Sequence, residues 1–222
     1  MGPQYTFKQN YLTKKKMPRL MDSDGSTSNH KSTRFEGKDC STVAGPIDEC
    51  HNSEVFASAA VRYLKVDAKH GKPFFLYVAF TAPHDPLVCP EDFMPTASEA
   101  EQYVVRNFKT HHMFEIEGVQ YVNPEGKGFG NRDEEIDLPP RSRANVTQRT
   151  KDYMGVIRHM DHHVGRILAE LRSSQFANET YVIFTSDHGT ALGSHGLISK
   201  QSNYEHSIRI PMLISGPGVQ HR

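Results

Sequence analysis

The stretch that decides the fold is TSDHG at residues 185–189, which directly follows the apolar run YVIF at residues 181–184. A short β-rich run that stops at Asp-His-Gly predicts a buried strand opening into a loop. An aspartate and a histidine side by side at the end of such a strand can both reach one cation, and the glycine lets the backbone turn away. Because GSHG at 193–196 and Lys200 follow closely, we expect this loop to carry chemistry.

Residues 53–86 predict a helix, a strand and a polar loop, in that order. Apolar residues at helical spacing follow Ser53, which we interpret as an N-cap, and Gly71-Lys72-Pro73 ends the helix. Residues 74–80 are apolar on both faces, which is typical of a central strand in a covered sheet. The loop after this strand contains His84, at the end of a strand where α/β proteins bind ligands.

Residues 148–219 form the most regular part of the sequence. Seven apolar residues make one helical stripe, namely Tyr153, Ile157, Met160, Val164, Ile167, Leu168 and Leu171. The strand that ends at TSDHG follows this helix, and residues 210–214 predict a second strand. Pro211 near its start indicates an edge position or the beginning of the strand. Together these elements predict an α/β fold.

Composition and charge exclude several classes of protein. The chain has 222 residues and a formal net charge of zero, so no overall field attracts nucleic acid. The longest apolar run, residues 74–80, is far shorter than a membrane span, and the N-terminal residues do not resemble a signal peptide. The three cysteines lack metal-type spacing. We predict an irregular polar segment at 1–52, a folded region at 53–222, and within it a polar excursion at about 97–147.

Several motifs in this order resemble the second half of a sulfatase catalytic domain. They are residues 74–86, Asp161 in HMDHHVG, TSDHG at 185–189, GSHGL at 193–197, Lys200 and IRIPMLISGPG at 208–218. The Asp-His-Gly form is similar to that of the iduronate-2-sulfatases and choline sulfatases. The resemblance implies a partial alkaline-phosphatase-like α/β sandwich, a mostly parallel sheet flanked by helices. It also implies a metal-dependent sulfuric ester hydrolase that acts on a sulfated small molecule or glycan, in a family that is often secreted or lysosomal.

The resemblance assigns roles to five residues. Asp187 would bind a calcium or magnesium ion through oxygen, the donor that hard cations prefer, and His188 would be a second metal ligand, although imidazole is an unusual partner for such a cation. Lys200 and His84 would contact the sulfate, with His84 able to protonate the leaving group. His195 would lie near the rim of the substrate pocket. Taken singly, each also fits a structural role, such as a cap, a loop histidine bonded to backbone or a solvated lysine.

The sequence departs from the family pattern at the nucleophile. Sulfatases carry a Cys/Ser-x-Pro-x-Arg motif whose cysteine becomes formylglycine, and no cysteine or serine of the 222 residues stands in such a motif. The paired aspartates that supply further metal ligands are also missing. We therefore expect the chain to be a fragment that folds poorly and is inactive alone. Two alternatives stay open: a phosphonate or phosphodiester hydrolase of the same superfamily, with threonine in place of the cysteine, and a non-catalytic protein that binds sulfated glycans.

Overall fold

A computed structural model of the chain describes residues 51–68, 73–123 and 140–220. These residues form two compact units. The first unit contains the described residues up to Phe93 together with Val156–Leu171, and the second contains Met94–Gly155 and the residues from Arg172 onward. The irregular segment predicted at 1–52, with two of the three cysteines, lies almost wholly outside the described residues.

The first unit begins with helix α1, Asn52–Arg62, which continues as one π-helical turn over Tyr63–Asp67. The predicted helix is confirmed, but the prediction that Ser53 caps it is wrong. The N-cap is His51, whose Nδ1 accepts a hydrogen bond from the backbone N–H of Ser53 at 3.2 Å. The side chain of Ser53 is instead fully buried within the first turn.

Helix α3, Arg143–Ser173, is the longest element of the chain. Its residues from Val156 to Leu171 belong to the first unit, where Arg166 donates to Ser58 Oγ of α1 at 3.3 Å and Glu170 forms a 3.3 Å ion pair with Lys65. The long helix predicted from the apolar stripe is confirmed, and it begins earlier than the stripe. Its buried residues include Val156, His159 and His163, which lie outside the stripe.

Residues 74–80 do not form the predicted central strand. No strand of the described part of the chain pairs with them, and their side chains alternate between half-buried and exposed. Phe75 is 90% exposed and Tyr77 is 80% exposed. A central strand requires a hydrogen-bonded strand on each edge, and no described strand pairs with residues 74–80.

The second unit contains a short helix, a hairpin and a small core. Helix α2, Ala97–Gln102, is capped by Thr96, whose hydroxyl accepts from the N–H of Glu99 at 3.1 Å. Strands β1, His112–Ile116, and β2, Val119–Asn123, form an antiparallel hairpin. The core cluster joins elements that are distant in sequence and consists of Val104, Val146 and Ile198, with Phe108 packed against it.

Strands β3, Val182–Thr185, and β4, Met212–Ser215, form a second sheet, and the short helix α4, Glu205–Ile208, precedes β4. Both predicted strands are found, and β4 begins directly after Pro211. The prediction that the first of them is buried is wrong, since Tyr181 is 59% exposed and Ile183 is 60% exposed. The pair is antiparallel, with Thr185 opposite Met212. The α/β class is confirmed. The predicted parallel pairing is not found among the described strands, because β3 pairs with β4, which runs in the opposite direction.

None of the helices in the described ranges is both long enough and apolar enough to cross a membrane.

Candidate metal and sulfate site

The loop after β3 is held in place by its own polar side chains. Thr185 Oγ1 donates to the backbone carbonyl of Pro211 at 2.9 Å, which ties the end of β3 to the start of β4. Ser186 Oγ donates to the carbonyl of His188 at 2.8 Å. The backbone N–H of Gly189 donates to the carbonyl of Ser207 at 2.9 Å. The TSDHG stretch is thus anchored on both sides of the Asp-His pair.

Asp187 and His188 present two electron-pair donors to the same point. Asp187 Oδ1 accepts the backbone N–H of His188 at 2.9 Å, while Oδ2 lies 3.5 Å from His188 Nε2. His188 Nδ1 lies 3.0 Å from the carbonyl oxygen of Gly189. A carbonyl only accepts, so Nδ1 carries the proton and the neutral ring has its lone pair on Nε2. Two acceptors that face each other at this distance need a proton or a cation between them.

The pair fits a divalent cation as part of a larger ligand shell. The side chain of Asp187 is 84% exposed and that of His188 is 41% exposed, so an ion can reach both. Metal-bound histidines typically donate the other ring N–H to a carbonyl, as His188 does to Gly189. Within the described ranges no group of three or more His, Cys, Asp and Glu side chains could hold a metal ion. A calcium ion takes about six to eight oxygens, so the pair alone does not complete a site.

Lys200 follows a tight, largely buried turn. The turn is built by backbone hydrogen bonds from Ala191 to Ser199 at 2.7 Å and from Gly193 to Leu197 at 2.7 Å. Ile198 is fully buried in the core cluster. Arg141, also fully buried, donates from its guanidinium to the carbonyl of Gly196. Lys200 is half-buried, and the position of its backbone is set by the buried residues immediately before it.

His195 stands at the tip of this turn in a left-handed backbone conformation, with φ of 54°. Its ring is exposed and stacks on Tyr204, with 4.4 Å between the ring centroids and 13° between the planes. His206 lies beyond Tyr204, at 5.5 Å between ring centroids. Burial lowers the pKa of His206, and the nearby His195 lowers it further.

His84 belongs to the first unit, whereas the other four predicted site residues belong to the second. Its backbone N–H donates to the carbonyl of Thr81 at 2.9 Å, and its Nδ1 lies 2.9 Å from the carbonyl of Asp85. By the same reasoning as for His188, Nδ1 carries the proton and Nε2 is the atom left for a ligand. The ring is exposed. The peptide bonds before Pro83 and Pro86 are cis.

The structure also reveals a histidine cluster that was not predicted from the sequence. His159 and His163, one turn apart on α3, are almost fully buried, with 3.0 Å between their Nε2 atoms. Arg166 can only donate to His163 Nδ1, at 3.0 Å, so His163 donates from Nε2 to His159. The proton of His159 then lies on Nδ1, which is buried without a hydrogen-bond partner among the described residues. His51 contacts the ring of His159 edge-on at 4.3 Å.

Burial keeps these imidazoles neutral. It is the main reason that the pKa of His159 falls to about 3, and the charge on His51 adds to the effect. Burial also lowers the pKa of His163 to about 4, with the Arg166 guanidinium as the second cause. The i, i+4 spacing of His159 and His163 is the one signal in the sequence that places two histidines on the same face of α3.

Comparisons with known proteins identify the chain's relatives. A model of the sulfatase family matches residues 3–222. The chain is 31% identical over 183 residues to a multifunctional alkaline phosphatase superfamily protein, PehA, of Trinickia caryophylli, which covers 77% of this chain and 33% of that protein. It is 31% identical over 168 residues to human iduronate 2-sulfatase, covering 72% and 29% respectively. It is 28% identical over 160 residues to choline-sulfatase of Rhizobium meliloti, covering 69% and 28%.

A solved structure supports the fold. The phosphonate monoester hydrolase of Agrobacterium radiobacter superposes with a TM-score of 0.53 at 22% identity, covering 79% of this chain and 34% of that one. The α/β fold is therefore of the alkaline-phosphatase type. The chain belongs to the sulfatase family, which confirms the resemblance inferred from the motifs. Sulfatases generally depend on a divalent metal. The chain spans about a third of the length of the curated relatives it matches.

Proposed function

We propose that these residues supply the metal- and sulfate-contacting part of a sulfuric ester hydrolase site. The observation that carries the proposal is the pair of facing acceptors, Asp187 Oδ2 and His188 Nε2, 3.5 Å apart at the end of β3. Each partner is held by a hydrogen bond on its other side, from the His188 N–H to Asp187 and from the His188 ring to Gly189. These two side chains would supply two ligands of the cation, and the remaining ligands would come from other groups.

Lys200 provides the positive charge for the sulfate in this proposal. Its ammonium contacts a sulfate oxygen and offsets the negative charge that builds on the leaving oxygen. A calcium or magnesium ion bound here would supply Lewis-acid polarisation of the sulfate. Asp187 and His188 hold that ion, and the buried turn before Lys200 keeps the lysine's backbone fixed.

The role of His84 as proton donor to the leaving group or to the sulfate comes from the family resemblance, since His84 belongs to the first unit. Because Nδ1–H is committed to the Asp85 carbonyl at 2.9 Å, only Nε2 can act on a ligand. In the neutral ring Nε2 is an acceptor, so His84 donates only after it has bound a second proton. The hydrogen bond to Asp85 remains intact in both states and fixes the direction of Nε2.

A second candidate is hydrolysis of a phosphonate or phosphodiester, kept because a multifunctional protein of the alkaline phosphatase superfamily is among the relatives. The two candidates differ in the group that the site prefers. A phosphodiester and a phosphonate monoester carry one negative charge at neutral pH, as a sulfate monoester does, so the charge of the ligand does not separate the two candidates. Relative affinity for phenyl sulfate and for a phenyl phosphonate monoester does.

Binding is the appropriate test, because the printed sequence contains no Cys/Ser-x-Pro-x-Arg motif. Phenyl sulfate is titrated into the 222-residue chain in the presence and absence of Ca²⁺, with Lys200→Ala as the variant and exposed Lys109→Ala as the matched control. Loss of a charged hydrogen bond weakens binding roughly tenfold or more, so Lys200→Ala should show this loss and Lys109→Ala should not. The proposal would be overturned if phenyl sulfate affinity were the same with and without Ca²⁺ and the same in Lys200→Ala as in the wild type. A non-catalytic glycan site predicts binding of a sulfated sugar chain that is indifferent to Ca²⁺.

A further inference from the structure

The exposure of residues 74–80 alternates with the period of a β-strand, which gives this segment two faces. The first face is half-buried and packs on α1 and its π-helical turn. Phe74 contacts Tyr63 with 5.8 Å between the ring centroids, and Phe80 contacts Phe56 with 6.4 Å between them. The segment is therefore held in the first unit as a strand is held by the helix that covers it.

The backbone edges of the segment are open. Within the described ranges, no hydrogen bond joins the backbone of residues 75–80 to any other group. A strand normally pairs its N–H and C=O groups with a neighbour about 4.8 Å away. Residues 75–80 therefore present a row of unpaired donors and acceptors, which is what a second strand requires.

The second face carries large apolar side chains that solvent reaches. Phe75 is 90% exposed and Tyr77 is 80% exposed. Soluble proteins usually protect an open edge with a charged side chain, a proline or a bulge. The sequence has no Asp, Glu, Lys or Arg between Lys72 and Asp85, and no proline within 74–80. No charge on this segment therefore opposes pairing with an equally uncharged strand.

The segment is complementary to itself when two copies run in opposite directions. An antiparallel register centred on Tyr77 places this residue opposite its equivalent and places Phe75 opposite Ala79. A large ring then faces a small methyl group on the exposed face, and the pairs on the packed face join apolar side chains. We propose that residues 74–80 of two copies pair in this register, so that the chain forms a twofold dimer through this strand.

The size of this surface predicts a weak dimer. Each copy contributes two exposed aromatic rings, so the four rings together offer about 600–1,000 Å² of surface. Interfaces that bury less than about 1,200 Å² are typical of transient association. Backbone hydrogen bonds along the paired edge add stability and fix the direction of the strands. Dimerisation should therefore depend on protein concentration.

Sedimentation equilibrium of the 222-residue chain tests the pairing without Ca²⁺ or a sulfate ester. The mean mass should rise from one copy towards two as the concentration increases from about 1 to 100 µM, the range expected for a small interface. Tyr77→Lys puts like charges opposite each other at the twofold axis, so the dimer should dissociate at least about tenfold more readily. Tyr103→Lys makes the same change at an exposed tyrosine of the second unit and should leave the dimer unchanged. A wild type that stays a single copy throughout, or equal behaviour of the two variants, would contradict the proposal.

A mixture of two variants tests the register. Tyr77→Lys and Tyr77→Glu each place like charges at the axis, so each alone should remain a single copy at concentrations where the wild type pairs. A one-to-one mixture places opposite charges there and should recover the dimer. Failure of the mixture to pair, when both variants keep the far-ultraviolet circular dichroism of the wild type, would rule out the register centred on Tyr77.

Hydrogen exchange supplies a test that needs no substitution. Amides of residues 75–80 on the paired edge should exchange at least about tenfold more slowly in concentrated than in dilute wild-type solution. The amides of β1 should exchange at the same rate in both solutions. If protection at high concentration appeared in another segment and not in residues 75–80, a different surface would join the copies and the proposal would be wrong.

Discussion

Gly189 lies directly against the backbone of His206: a Cβ atom on Gly189 would meet the carbonyl oxygen of His206 at 2.0 Å. A backbone oxygen cannot rotate away as a side chain can. The loop that carries Asp187 and His188 and the segment that carries Tyr204 and His206 can therefore approach so closely only with glycine at this position.

Gly189→Ala should lower the free energy of unfolding by about 1–3 kcal/mol, the cost of overpacking a fixed contact. It should also weaken Ca²⁺ binding, because Asp187 and His188 move with the loop. Gly165→Ala is the matched control, since Gly165 lies in α3 with nothing within 4 Å of its Cβ position. That control should gain about 0.5–1 kcal/mol. Denaturant unfolding measures both, and a Gly189→Ala variant as stable as the wild type would contradict the packing described.

Arg141 should contribute far more to stability than the neighbouring Arg143. Arg141 is fully buried and donates to the carbonyl of Gly196, so Arg141→Ala leaves a buried acceptor and a cavity that together cost about 2–4 kcal/mol. Arg143 forms an exposed ion pair with Glu101, and Arg143→Ala should cost less because water screens such pairs. Equal losses of unfolding free energy in the two variants would count against the buried role of Arg141.

The stability of the first unit should fall in acid because of the histidine cluster. The pKa values of His159 and His163 are lowered to about 3 and about 4, whereas an unfolded chain takes up these protons near pH 6.5. Between about pH 6.5 and pH 4 the unfolded state binds more protons, so stability decreases as the pH falls, by about 1.4 kcal/mol per pH unit for each proton. Above pH 6.5 the histidines should add no slope.

His159 packs edge-on against Phe93, with 4.8 Å between the ring centroids. His159→Leu tests this assignment, because leucine can pack against Phe93 and cannot titrate. The free energy of unfolding of this variant should depend less steeply on pH between 6.5 and 4 than that of the wild type. The comparison uses the slopes and not the absolute stabilities, since the variant also loses the 3.0 Å contact with His163. Identical slopes would assign the acid sensitivity to other groups.

The parts of the fold that follow from local pattern were predictable from the sequence. The stripe from Tyr153 to Leu171 predicted α3, and the apolar run before Thr185 predicted β3, because hydrophobic periodicity reports directly on the face that packs. Pro211 indicated the start of β4 because proline has no backbone N–H to donate within the sheet. Asp187 and His188 lie together at the end of β3 because they are adjacent in sequence.

The features that depend on partners distant in sequence were not predictable in the same way. Residues 74–80 are apolar enough for a central strand, but pairing requires a neighbour that their own sequence cannot specify. His51, and not Ser53, caps α1. Its ring is fixed for this role because Nε2 also lies 2.9 Å from the carbonyl of Val88, a residue distant in sequence. Histidine is a polar residue, so the sequence did not mark His159 and His163 as buried. A neutral imidazole can nevertheless be buried among other side chains.

The most direct test of the central claim is a calorimetric titration of Ca²⁺ into the 222-residue chain and its Asp187→Asn variant. The substitution keeps the size of the side chain and removes its charge, so Ca²⁺ affinity should fall roughly tenfold or more. Asp92→Asn, which removes an exposed carboxylate of the first unit, should leave the affinity unchanged. Saturable Ca²⁺ binding that depends on Asp187 is the predicted result. The contradicting result is no saturable binding, or the same affinity in all three proteins.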